Sequence, residues 1–222
     1  NTTMTLALGS GALTTNSASI TTVTTGGLWR TYRHFPVIAT APIWVEFRMS
    51  IADAIATNSI VDFGLFSPNT ATTGPLDGCY ARITDAGLAI VINHNGVETT
   101  SSPVAFTFTT NTVYKIVLGI ERGGVQLWIN DILYGYLATP IGQGTPSSAS
   151  ALPMCIQHRI TGIAAGTVWR TKFFSYTILL GGPSLNRLWP STMVGMGLSS
   201  IQGASGHTQG QTANYANSAV PA

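Results

Sequence analysis

The chain has 222 residues, a formal net charge of +2 at pH 7 and only 8% charged side chains, against about 25% in ordinary soluble domains. The two lysines, Lys115 and Lys172, stand far apart and no basic run exists, so nucleic acid has no electrostatic footprint here. No apolar stretch reaches the roughly 18 residues of a membrane helix, which excludes a spanning role, and Cys79 and Cys155 alone do not make a disulfide framework. Two buried free thiols are the expectation for them. A chain of this length buries roughly 70% of the surface its unfolded form exposes, enough for a core without metal or disulfide. So little charge leaves the surface weakly protected against association. It suits either a secreted or thermally robust β protein or a subunit covered by neighbours in a large assembly. The chain opens on Asn1 with no charged and then apolar leader, as expected of a processed product or a segment of a longer one.

Residues 1–26 are rich in Thr, Ser, Ala and Gly, with apolar alternation at Met4, Leu6 and Leu8. They read as an N-terminal arm or edge strand. Leu28 to Ala41, with Trp29, Tyr32, Phe35 and Val37, is expected to enter the folded body. Ile43, Val45, Phe47 and Met49 then alternate with Trp44, Glu46 and Arg48, the period of a strand with one buried face. Ile60 to Phe66 is a nearly continuous apolar run, fit for a central strand. The Pro- and Gly-bearing stretch Ser67 to Leu76 is a loop. Cys79, Ala81 and Ile83 alternate with Tyr80, Arg82 and Thr84, and Asp85-Ala86-Gly87 turns the chain into Leu88, Ile90 and Ile92. Asn95-Gly96 is a strong hairpin signal, and Val104 to Phe108 reads as a further strand.

Val113 to Leu137 is the most regular part. Ile116, Leu118 and Ile120 form one face, Val125, Leu127 and Ile129 the matching face of the next strand, and Asn130-Asp131 turns into a third. Gly123 and Gly124 are placed to supply the positive φ of a primed turn between the first two. A meander this apolar on one face needs a second sheet to cover it. Pro140 to Pro153 is a polar loop, Met154 to Arg159 a short strand and Val168 to Leu180 a long one. No segment carries a 3.6-residue period. Ten to twelve strands at such spacing predict a two-sheet antiparallel sandwich. Ser199 to Ala222 is almost wholly Ser, Gly, Gln, Ala, Asn and Thr and buries too little to fold alone.

Catalytic machinery is not visible. Glycoside hydrolysis needs two carboxyls about 5 to 9.5 Å apart. Glu46, Asp53, Asp62, Asp77, Asp85, Glu98, Glu121 and Asp131 never stand two to four residues apart on one strand, and most fall at turns or outward positions where solvation explains them. His34, His94, His158 and His207 lack zinc spacing, and neither a calcium loop, a Gly-x-Ser-x-Gly elbow nor a phosphate loop is present. No enzyme activity, cofactor or metal is therefore expected. Outward aromatics and their polar neighbours remain: Trp44, Tyr80 with Arg82, and Trp128 with Asn130. Sugar rings stack on exposed aromatics while amides and guanidinium groups take their hydroxyls. The same side chains equally suit packing under loops or at subunit interfaces.

Several stretches carry a likeness: Asp77-Gly78-Cys79-Tyr80-Ala81-Arg82, Asp85-Ala86-Gly87, the run Asn93 to Thr100, Tyr114 to Glu121 and Val125 to Asn130. Together they resemble the concanavalin A-like lectin/laminin-G type jelly roll of tailed-bacteriophage virion proteins. Trp189-Pro190 and the run Gln209 to Ser218 are similar to linkers in such proteins. The resemblance implies an all-β jelly-roll sandwich of two antiparallel sheets with extended N- and C-terminal arms. Its expected division is an arm or edge strand at 1–26, the sandwich at 27–182, and an extended arm or linker at 183–222. It implies a virion structural component: a capsid decoration protein, a head fibre or a tail-associated protein. Its partners would be other virion proteins and copies of itself, most plausibly in a trimer. A carbohydrate-binding receptor module is the alternative, with Trp44, Tyr80, Arg82, Trp128 and Asn130 as the glycan contacts. Lectins of this family often use calcium, and the paired Asp/Asn metal signature is missing here.

Overall fold

Antiparallel pairing organises everything the computed structural model describes, which is residues 4–9, 12–17, 26–38, 41–55, 57–162, 169–181, 191–194 and 200–203. The strands are β1 (Met4–Gly9), β2 (Ala12–Ser17), β3 (Gly26–Pro36), β4 (Ile43–Ile51), β5 (Ser59–Ser67), β6 (Asp77–Thr84), β7 (Gly87–His94) and β8 (Val97–Thr100). They continue as β9 (Val113–Glu121), β10 (Gly124–Ile129), β11 (Ile132–Ala138), β12 (Ala151–Ile160), β13 (Trp169–Leu180), β14 (Ser191–Val194) and β15 (Ser200–Gly203). One sheet has eight strands in the order β1-β2-β13-β4-β9-β10-β11, with β14 also on β13. The other has seven, ordered β15-β3-β12-β5-β6-β7-β8. No helix occurs among the described residues.

The two sheets face each other across one core, and period-two patterning puts it there. Val45, Phe47 and Met49 of β4 and Ile116, Leu118, Ile120, Leu127 and Ile129 of β9 and β10 meet Val61, Phe63, Leu65, Cys79, Ala81, Ile83, Ile90 and Ile92 of the opposite sheet. Each Val, Leu, Ile, Phe or Met among them contributes roughly 1.5–3 kcal/mol on burial. Phe47, Phe63 and Phe173 make an edge-to-face triad with centroids 5.0, 5.5 and 6.2 Å apart, a geometry the ring quadrupole favours. Cys79 points into this core while Cys155 pairs with Gly64 on the other side of the same sheet, so the two free thiols cannot meet.

Turn chemistry sets the registers. Asn95 (φ 53) with Gly96 (φ 85), and Asn130 (φ 48) with Asp131 (φ 69), supply the paired positive φ of primed hairpin turns. At the β9–β10 hairpin only Gly124 (φ 157) has positive φ; the loop residues Arg122 and Gly123 do not, which corrects the expectation for Gly123.

Other expectations also change. Val104 to Phe108 forms no strand. It crosses from one sheet to the other, and its Val104 N–H donates to Leu88 O at 2.8 Å. Phe106 then packs edge-on against Phe108, Tyr114 and Tyr134 at 5.0–5.3 Å, so apolar alternation there records a plug at the open end rather than a ladder. Tyr32 is 81% exposed. It lies where β3 bulges against Pro153 of β12, and Thr31 Oγ1 takes over the ladder contact by accepting the Met154 N–H at 3.1 Å. Strands exceed the ten to twelve expected because short ones occur at both ends of the chain. β1 and β2 form a hairpin at the edge of the eight-stranded sheet, β14 joins β13, and β15 joins β3. The remainder of 183–222 lies outside the described residues, as does His207.

Candidate functional site

Alternation gives each sheet a second, outer face, and the two differ in chemistry. On the seven-stranded sheet β5 turns Asp62 outward, β6 Tyr80 and Arg82, and β12 Gln157 and Arg159; the register sets Gln157, Asp62 and Arg82 side by side. Asp62 is fully buried. Arg82 binds it bidentately, Nε to Oδ1 at 2.7 Å and Nη2 to Oδ2 at 3.3 Å, and Arg159 Nη2 reaches Oδ2 at 3.2 Å. Arg82 also crosses β7 to bind Glu98 of β8, Nη1 to Oε1 at 2.6 Å and Nη2 to Oε2 at 3.0 Å. Tyr80 Oη donates to Glu98 Oε2 at 3.0 Å and lies 3.3 Å from Arg82 Nη2. All three guanidinium nitrogens of Arg82 are thus committed inside the protein.

Electrostatics fit a staple. Burial opposes the charge on Arg82, yet Asp62 and Glu98 hold the guanidinium still more firmly protonated. Burial likewise pushes Glu98 up, but hydrogen bonds and charge from Arg82, with help from the Tyr80 and Thr100 hydroxyls, outweigh it and keep the carboxyl below its ordinary range. The Tyr80 hydroxyl is driven up by burial and by the neighbouring carboxylates.

Residues 67–76 roof this face. Gln157 Nε2 donates to Thr70 O at 2.8 Å, Ala71 O at 3.1 Å and Thr73 O at 2.8 Å. Ala71 packs on a small second core of Leu28, Phe66, Tyr80, Val91 and Cys155. Asp77 pins the next loop by accepting Ser148 N at 3.0 Å, Ser148 Oγ at 2.6 Å and Ala149 N at 2.7 Å. Solvation therefore does not explain Asp62 or Asp77: both are buried and their oxygens are taken up by arginines or loop donors. His158 is fully buried as well, within 2.7 Å of Ser59 Oγ, and burial lowers its pKa to about 3.

The outer face of the eight-stranded sheet has no comparable roof among the described residues, and its Trp44 and Trp128 are half-buried. Its registers define two rows across the strands: Leu179, Trp44, Gly119, Gln126 and Tyr136, and beside it Thr177, Glu46, Val117, Trp128 and Leu133. The six-membered ring of Trp44 lies over Gly119, where an added Cβ would come within 2.4 Å of it; at Gly124 an added Cβ would meet the Leu137 carbonyl at 2.3 Å and the phenol end of Tyr136 at 2.8 Å. Gly119 thus lets an aromatic ring lie down on the sheet. Trp128 Nε1 donates to Gln126 Oε1 at 3.1 Å. An indole nitrogen only donates, so this bond fixes the amide with its oxygen toward Trp128 and its NH2 group turned elsewhere. Leu133 and Tyr136 are 50% and 54% exposed.

Of the five residues expected to touch glycan, Trp44 and Trp128 share this open face. Tyr80 and Arg82 sit on the opposite one, and Tyr80 is fully buried beneath the loop. It points outward as expected but offers no ring face to a ligand, which corrects its reading as a glycan contact. Asn130 closes the β10–β11 turn, its Oδ1 accepting the Lys115 N–H at 3.0 Å, so it too serves the fold. Tyr136 and Gly124 were not anticipated as parts of the platform. A bulge between Leu127 and Trp128 shifts the β11 register by one residue and brings Leu133 out as well as Tyr136, an offset that alternation cannot reveal.

No family model matches the chain, and no curated protein matches it. Solved structures do resemble it. The Emp47p carbohydrate recognition domain matches with a TM-score of 0.57 at 11% identity, over 82% of this chain and 88% of that one. The fold is a concanavalin A-like jelly-roll sandwich. The Bacillus licheniformis β-glucanase is similar with a TM-score of 0.54 at 11% identity over 77% and 79% of the two chains. A prokaryotic β-1,3-1,4-glucanase (lichenase) from a mouse hindgut metagenome gives 0.53 at 9% identity over 81% and 83%. At such identities the concanavalin A-like likeness extends to architecture alone.

Proposed function

We propose that this concanavalin A-like sandwich is a non-catalytic carbohydrate-binding module whose ligand lies on the outer face of the eight-stranded sheet. The observation that carries the reading is the platform itself: Trp44 lies over Gly119 and Tyr136 shares its row, with Trp128 beside an amide that it orients. Flat aromatic surface stacks on the C–H faces of sugar rings, and a few fixed polar groups take their hydroxyls. Similarity to a carbohydrate recognition domain and to glucanases supports the reading at the level of fold. A cleaving role is disfavoured by the two carboxylates that the fold does bring together. Asp62 and Glu98 both bind Arg82, and Glu98 is held ionised, whereas glycoside cleavage needs one of its carboxyls kept protonated as general acid.

Single-site affinity on an open face is weak and grows with copy number, so a glycan array should be probed with the protein displayed multivalently. The expected result is retention of a defined set of glycans that Trp128→Ala abolishes and Glu98→Gln leaves intact. Retention of nothing, or binding indifferent to Trp128→Ala, would overturn the reading.

A subunit role in a bacteriophage particle, as capsid decoration, head fibre or tail-associated protein, is the second reading. The 8% charge content and the exposed apolar side chains of the edge strand β11 favour it, and so does the sequence resemblance. The two roles are compatible, since a particle presents many copies of one weak site. Isolation of intact particles containing the chain would support this role, and a stable monomer that associates with no particle protein would count against it.

A further inference from the structure

Resting on the carbohydrate-binding reading, we propose that the platform takes a linear, uncharged, equatorially linked polysaccharide laid across the strands, in preference to a single terminal sugar. Trp44 stands on β4 and Tyr136 on β11, in one row three strand spacings apart, ~14 Å. An extended chain of β-1,4-linked pyranoses advances by about one strand spacing per ring, so a segment of three rings reaches from Trp44 past Gln126 to Tyr136. Gly119 matters because a side chain there would lift the Trp44 ring lying on it, and a side chain at Gly124 would press on the Tyr136 phenol end at 2.8 Å as well as on the Leu137 carbonyl at 2.3 Å. The charges around the platform are of both signs and balance: Arg48 pairs with Glu46 at 3.5 Å, Lys115 pairs with Asp131, and Glu121, opposite Gly124, is followed in the turn by Arg122. No net charge remains there to select an anionic polymer, which points to a neutral one.

Calorimetric titration with β-1,4-linked glucose, mannose and xylose oligomers of one to six rings tests this. In at least one series affinity should be undetectable for the monosaccharide, rise with each added ring to three or four, and then level off. Tyr136→Ala should weaken the six-ring ligand about tenfold and bring the plateau one ring earlier. Gly119→Ala, which displaces only a movable side chain, should weaken binding comparably while the melting temperature stays near that of the parent. Binding of a single sugar as tight as that of the six-ring oligomer, equal competition by polygalacturonate, or silence of all three series overturns the proposal. An array that retains only branched or terminal sugars in a Trp128-dependent way would sink the linear-chain inference and leave the module reading standing. A blank array sinks both.

Discussion

The outer face of the seven-stranded sheet is roofed by residues 67–76 and stapled through Asp62, Arg82, Arg159 and Glu98, whereas the outer face of the eight-stranded sheet has no such roof among the described residues and carries the half-buried Trp44 and Trp128 beside the exposed Tyr136. Both faces come from strands of the same alternating pattern. The difference lies in which polar groups already have partners. On the roofed face the arginines, carboxylates and the Gln157 amide nitrogen are engaged by the protein, so the charge there supports the fold. On the open face Gln126 is oriented by a single bond and its neighbours are apolar. Exposed aromatic surface with spare donors is the better ligand site, even though the roofed face holds more charge.

The largest effect that should separate the faces is Asp62→Ala. It leaves the largely buried Arg159 without its carboxylate and Arg82 with Glu98 alone, and should cost about 3–5 kcal/mol in urea denaturation, because a buried charge without its partner is far more costly than the pair is valuable. A loss under about 1 kcal/mol would mean the network is no staple.

Acid should act on the fold from both sides of the seven-stranded sheet, through His158, which faces the core beside Trp169, and through Glu98 on the roofed face. His158 stays neutral down to about pH 3 in the folded protein, while the unfolded chain takes up its proton near pH 6.5. Between these values the unfolded state binds more protons. Stability should therefore fall as pH drops through that window, with a slope of up to ~1.4 kcal/mol per pH unit. Glu98, held low by Arg82, contributes stability above the ordinary carboxylate range that is lost as pH falls through its lowered value. Urea midpoints measured from pH 7 to pH 3 check both, and His158→Gln should flatten the upper part of the curve.

Gln157→Ala should come next. Three loop carbonyls lose their shared donor, at about 1–3 kcal/mol, and amide exchange across residues 67–76 should quicken before the rest of the sheet responds. Unchanged exchange in that loop would show that apolar packing of Ala71 alone holds it. Smallest should be Trp128→Ala, about 1 kcal/mol or less in stability but the largest loss in glycan retention.

Much of this was legible in the sequence. Alternation located the core of the meander, since Ile116, Leu118 and Ile120 must share a face once a strand is granted, and Asn-Gly and Asn-Asp fixed two hairpins. The split of Trp44 and Trp128 from Tyr80 and Arg82 was not legible. Parity along one strand says in or out, but only strand order says which sheet's outside is meant. Burial of Tyr80 depends on a loop whose anchor, Gln157, lies 84 or more residues away in the chain. The platform role of Tyr136 depends on a bulge. Val104 to Phe108 misled for a related reason, because an apolar plug and an edge strand share one pattern.

The central claim is that ligand meets the open face and leaves the roofed one untouched, and the tryptophan indole N–H signals report on it directly. Trp44 and Trp128 lie on the open face, while Trp29 and Trp169 are buried in the core. Two-dimensional NMR of the protein titrated with its best-retained glycan should shift the Trp44 and Trp128 indoles together with the Gln126 side-chain amide. The Trp29 and Trp169 indoles and the Arg82 Nε–H should not move. Shifts centred on Arg82 and the backbone of 67–76, with the Trp44 and Trp128 indoles unmoved, would contradict the account.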